Sequence, residues 1–124
     1  MRTMFIALLA ALFSSQVSAQ DLSGFWKHES EPAWIEVELD AGTATVVRND
    51  RFPERVGRTI LKDLAADGSD DGLWKGQIYA ERLGDYKNAE VRLASPERME
   101  ITVKVAFRSR TLGWDRVDEV PDAE

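Results

Sequence analysis

Residues 99–108 read Met-Glu-Ile-Thr-Val-Lys-Val-Ala-Phe-Arg. Met99, Ile101, Val103, Val105 and Phe107 alternate with Glu100, Thr102, Lys104, Ala106 and Arg108. A period of two belongs to an extended strand with one face on a core and the other in water, whereas a helix repeats near 3.6. The run predicts a strand with the apolar set inside and Glu100, Thr102, Lys104 and Arg108 outside. A slip of one residue would invert every side chain.

The same period recurs on both sides of this run. Over Trp34–Leu39, Ile35, Val37 and Leu39 oppose Glu36 and Glu38. That leaves Trp34 on the outer face, either covered by the N-terminal segment or offered to a partner. Asp40-Ala41-Gly42 is a turn signal, and Thr43–Val47 is rich in β-branched residues, so the two runs form a hairpin. Gly24–His28, Arg58–Leu64, Leu73–Ala80, Tyr86–Leu93 and Leu112–Val117 are further strand candidates. Turn clusters separate them at Ala65–Gly72, Glu81–Asp85, Ala94–Arg98 and Ser109–Thr111. Arg48–Gly57 is the longest connection, with room for a helical turn. The expected fold class is all-β: eight antiparallel strands in sequence order, closing as an up-and-down barrel that leaves no free edge. A sandwich of two sheets is the competing architecture.

Met1–Ala19 has the layout of a cleaved signal peptide: Arg2, an apolar Met4–Phe13, and small residues at Val17-Ser18-Ala19 before Gln20. It predicts a periplasmic or secreted protein whose single domain is Gln20–Glu124. The chain of 124 residues has no cysteine, 16 basic and 22 acidic side chains, and a net charge of −6. Disulfides and thiolate chemistry are therefore excluded, and nucleic acid is disfavoured as a partner because no basic excess exists to displace its counterions. No apolar run is long enough for a membrane span.

Gly24-Phe25-Trp26 on the first strand and Trp114-Asp115-Arg116 on the last would meet in a closed barrel, with the indole plugging one end and the guanidinium stacked over it. This pairing resembles the lipocalin-like, or calycin, barrels. More of the chain resembles a bacterial secreted family called domain of unknown function 2147. The matching residues are Gly57 with Ile60-Leu61, then Leu73-Trp74-Lys75-Gly76-Gln77-Ile78-Tyr79, Gly84-Asp85-Tyr86 and Arg110-Thr111. Ala80-Glu81 and Ser109 depart from that family's usual turn residues. The resemblance implies fold and compartment and no enzymatic chemistry. It also casts Gly24, Trp26, Trp114 and Arg116 as the barrel closure.

Candidates for chemistry are sparse. His28 is the sole histidine, with Glu29 and Glu31 beside it in sequence, and a solvated strand end explains it as well as a general base does. Asp67–Gly72 begins like a calcium loop, but Ile78 stands where the bidentate glutamate belongs, so a hairpin turn is the better account. No serine lies in a nucleophile elbow. No metal or cofactor is implied. The expected function is a non-catalytic binding module for a small apolar or amphipathic ligand, lined by Trp74, Tyr79, Tyr86, Met99 and Val103. The competing reading is an interaction module of the cell envelope, an inhibitor or accessory factor, acting through the barrel rim and exposed aromatics.

Overall fold

Alternating sequences of this kind bury one face only by curling into a closed sheet or pairing with a second one. The computed structural model describes residues 21–68 and 72–121 and shows closure. The leader expected over Met1–Ala19 and the middle of the Asp67–Gly72 loop lie outside the described residues. The strands are β1 (Gly24–His28), β2 (Ala33–Glu38), β3 (Thr43–Asn49), β4 (Thr59–Ala66), β5 (Leu73–Ala80), β6 (Asp85–Ser95), β7 (Arg98–Val105) and β8 (Arg108–Val117). Each is antiparallel to its neighbour in sequence, and β8 returns to pair with β1, Trp26 opposite Arg116 and His28 opposite Trp114. A 3₁₀ turn, Pro53–Arg55, sits in the long connection from β3 to β4.

Irregularities in register let the sheet bend into a barrel. One lies in β4, between Lys62 and Ala65, where Asp63 takes a φ of 54°. The bulge presses against β5 so closely that a Cβ on Gly76 would stand 2.8 Å from the Lys62 carbonyl oxygen, which only glycine permits. Inside, Trp26, Ile35, Leu61, Val91, Met99 and Ile101 are fully buried and fill the barrel from the β1 start toward its middle. Toward the opposite end burial thins, and Val103 and Leu112 are only partly covered.

The strand expected over Met99–Arg108 is shorter than its alternation suggests. Met99 and Ile101 are buried, but β7 stops at Val105, and Ala106 turns the chain with a φ of 58°. Val105 then pairs with Arg108 across a two-residue turn. Val105 is exposed and Phe107 is 100% exposed, so neither belongs to the interior. Arg108 shares the face of Val105 rather than that of Glu100, because directly opposed residues point the same way. Ser109–Thr111, read as a turn, is part of β8. An alanine in the left-handed region costs about 1 kcal/mol, and neither alternation nor turn chemistry announces it.

Trp34 does lie on the outer face, opposite the inward Ile35, yet it is only 9% exposed. Its cover comes from neighbouring strands: the Lys27 amine lies 5.4 Å from the ring centre, and the Arg48 guanidinium 4.8 Å. Arg48 also donates to the Pro121 carbonyl at 2.6 Å, tying the C-terminal segment to β3. Two cations against one indole contribute about 0.5–1 kcal/mol each at a partly exposed site.

Candidate functional site

The barrel has two unlike ends. The end where β1 begins is closed. Trp26 is buried at 0% exposure and donates its indole N–H to the Leu22 carbonyl at 2.9 Å. The Arg116 guanidinium lies 4.4 Å from that ring. It donates to the carbonyls of Pro96 (2.8 Å), Ser23 (2.9 Å) and Asp21 (2.8 Å). Gly24 has a φ of 129°, and a Cβ there would stand 3.2 Å from Arg116 Nη1. Gly24, Trp26 and Arg116 therefore form one cap.

Trp114, grouped with that cap from the sequence, lies one inward position farther along β8. There it opposes His28 and meets its ring edge-on at 4.9 Å. Its indole N–H is buried and has no hydrogen-bond partner among the described residues. An unpaired buried donor costs about 1–3 kcal/mol, and none of the described residues offsets that cost here.

His28 stands beside it with a fixed tautomer. Its Nδ1 accepts the backbone N–H groups of Ser30 and Glu31, both at 3.1 Å, with the Ser30 hydroxyl at 3.4 Å. Both amides need an acceptor, so Nδ1 carries no proton and the neutral ring is protonated at Nε2. Burial pushes the His28 pKa down from its usual value, opposed by Glu31 and Glu29 and reinforced by Lys27 and Arg110. Glu29 is not free to act as its partner base. Its carboxylate accepts from Arg98 Nη2 (2.8 Å) and from the Gly113 amide (3.1 Å), which hold it below the usual carboxylate range. The buried Trp114 N–H, with the His28 ring edge-on beside it, offers a donor to an oxygen acceptor. The two side chains do not make an acid–base pair.

The five residues expected to line a pocket do not converge. Trp74 and Met99 are packed core residues, and Val103 is partly buried on the same inner face toward the open end. Tyr79 and Tyr86 lie on the outer wall. They oppose each other in register, with rings 5.3 Å apart at 71°, under Arg58 and Lys62. The Tyr86 hydroxyl donates to the Thr59 carbonyl at 2.7 Å. Period two carried this signal, since Trp74 and Tyr79 are five residues apart on one strand and must face opposite ways. A shallow groove of about 290 Å³ also lies outside, across β5–β7 between Lys75, Glu90 and Lys104.

Sequence reasoning passed over Trp114 as a donor and His28 as a hydrogen-bond hub, because both properties arise from which strands meet. Among the described residues no three His, Asp or Glu side chains converge as a metal site would need.

No family model matches the chain, and no curated protein matches it. Among solved structures it is similar to a protein of the human pathogen Helicobacter pylori described as belonging to the lipocalin family, at 17% identity and a TM-score of 0.60. The likeness covers 80% of this chain and 84% of that one. At that identity it shows the fold, a lipocalin-like eight-stranded barrel.

Proposed function

We propose that this is an exported, non-catalytic barrel that binds a small amphipathic ligand at its open end, with an oxygen acceptor of the ligand seated on Trp114 and His28. The observation that carries the reading is the buried Trp114 indole N–H without a partner among the described residues, beside a histidine whose Nδ1 is already engaged. The ligand's apolar body would rest on Val103 and Leu112, which the core leaves partly covered. Arg110, close enough to bear on the His28 charge, favours an anionic head group such as a carboxylate. The lipocalin-like architecture is compatible with such a site. The WKGQIY and GDY runs support a place in the secreted family with domain of unknown function 2147, and the tripartite leader supports export with an N-terminus at Gln20.

Mass spectrometry under native conditions tests both parts on the protein recovered from the periplasm or culture fluid. The expected mass begins at Gln20, with a small molecule bound. Titration with lauric acid, read by tryptophan fluorescence, should saturate in the wild type and weaken about tenfold in Trp114→Phe, which keeps the ring and loses the donor. Absence of any saturable binding, or equal binding by the variant, would overturn the site.

A further inference from the structure

The exposed apolar side chains are not scattered. Among the described residues four large hydrophobics are exposed, Val56, Leu83, Val105 and Phe107. They sit on three separate connections, β3–β4, β5–β6 and β7–β8, all of which emerge at the open end of the barrel. Phe107 is the extreme case, at 100% exposure on the tip of the β7–β8 hairpin.

That hairpin also stands clear of the wall. The pairing of β6 with β7 begins at Ala89–Val103, and that of β1 with β8 reaches only His28–Trp114. The last two pairs, Lys104–Ser109 and Val105–Arg108, consequently have no strand on either side. A lone two-stranded tip carrying a bare phenylalanine gains nothing from the fold that holds it.

Charge at the tip runs against that of the chain. The protein carries a net −6, yet residues 104–110 contain Lys104, Arg108 and Arg110 and no acid. Lys104 lies 3.9 Å from Glu90, while Arg108 and Arg110 have no ion-pair partner among the described residues. On the β3–β4 connection Arg55 and Arg58 both engage Glu81. Uncompensated positive charge thus flanks Phe107, and Arg51 and Arg82 on the two other connections are likewise outside any ion pair among the described residues.

We infer that the open end docks on an anionic lipid surface, with Phe107 inserted at the headgroup boundary, Val105, Val56 and Leu83 resting on it, and Arg108 and Arg110 on the lipid phosphates. A protein partner needs one contiguous complementary patch, whereas three separate apolar tips around a rim are engaged together by a plane. An aromatic tip flanked by cations is the chemistry that lies in a membrane interface without spanning it. The rim contact shares Arg110 with the proposed ligand site, whereas Phe107, Val105, Val56, Leu83 and Arg108 belong to the rim alone.

Flotation with vesicles tests it, using the purified full chain and variants prepared identically so that any effect of the N-terminus cancels. Vesicles of phosphatidylcholine and phosphatidylglycerol at 3:1 should carry the wild type up the gradient, and phosphatidylcholine alone should carry about tenfold less. Phe107→Ser should reduce the bound fraction about tenfold, and Arg108→Gln with Arg110→Gln about fivefold per cation removed. Raising the salt should mimic the arginine losses but not the phenylalanine loss. Unchanged far-ultraviolet circular dichroism and melting temperature would confirm that the variants fold, as substitutions at an unsupported tip should. Failure of the wild type to float, equal flotation of Phe107→Ser, or a wild-type dimer that Phe107→Ser splits would each overturn the inference, the last by making a second copy the occupant.

Discussion

Trp26 and Trp114 stand on adjacent strands of the same barrel interior, at 0% and 4% exposure, and differ in one bond. Trp26 gives its N–H to Leu22, and Arg116 seals it by satisfying three backbone carbonyls. Trp114 gives its N–H to no partner among the described residues, next to a histidine whose Nδ1 is already engaged. Around Trp26 polar groups are satisfied, and around Trp114 burial thins toward a rim of bare hydrophobics. Equal burial therefore does not mean equal role. One end of this barrel is closed by its own cap, and the other keeps a buried donor that none of the described residues satisfies.

The sharpest way to break that comparison is to remove each tryptophan's contribution separately. Trp26→Ala should lower unfolding stability by about 3–5 kcal/mol, read from urea denaturation, because it empties the cap. Arg116→Ala should cost about 1–3 kcal/mol through lost stacking and three unpaired carbonyls. The two losses should couple by more than about 0.5 kcal/mol in a double-mutant cycle. Strict additivity would mean that the 4.4 Å contact carries no energy.

The gentler exchange to phenylalanine separates the ends more finely. Trp26→Phe should cost about 1–2 kcal/mol, since it strands a buried carbonyl, whereas Trp114→Phe should be neutral or slightly stabilising in the ligand-free protein. Equal costs would erase the distinction between the two ends.

The smallest effect is a pH dependence confined to the open end. Burial lowers the folded-state pKa of His28 below its usual 6.5, so on acidification the unfolded chain takes up the proton first. The contribution of His28 is complete above about pH 6.5 and is lost as the pH falls through the folded value. The urea midpoint of the wild type should decline between about pH 7 and pH 5, and that of His28→Asn should not. The asparagine oxygen still accepts from Ser30 and Glu31 without titrating. Glu29 and Asp50 are held down by hydrogen bonds from Arg98 and Arg48, and their contributions fade only below their usual 4.5 and 3.8, outside that window.

Strands and closure were legible because they rest on local periodicity and on strand order. Gly24–His28 and Leu73–Ala80 coincide with β1 and β5 to the residue. The end of β7 was not legible. Alternation continues through Val105-Ala106-Phe107 with no glycine, asparagine or aspartate to mark a turn, and the left-handed Ala106 is visible only in the backbone. Trp34 shows a different limit. Its outward direction followed from parity, but its cover comes from Lys27 and Arg48 on the two flanking strands, contacts that no local pattern records. The candidate site was least legible of all. An orphan N–H is a fact about everything within reach of it, and sequence specifies neighbours only after the chain has folded.

The Arg116 clasp has a consequence for the order of events in making the protein. Its guanidinium reaches the Asp21 carbonyl across 95 residues of chain, so the cap joins nearly the first and nearly the last described residues. At a synthesis rate of about 5–20 residues per second, Leu22 and Trp26 wait roughly 5–20 s for the strand that covers them. Throughout that interval the most buried indole of the fold is an exposed one, and no partial chain can shelter it in the native way. The barrel is therefore completed from its ends at the last moment of its making. Until Arg116 arrives, nothing in the chain can close that end as the finished fold does.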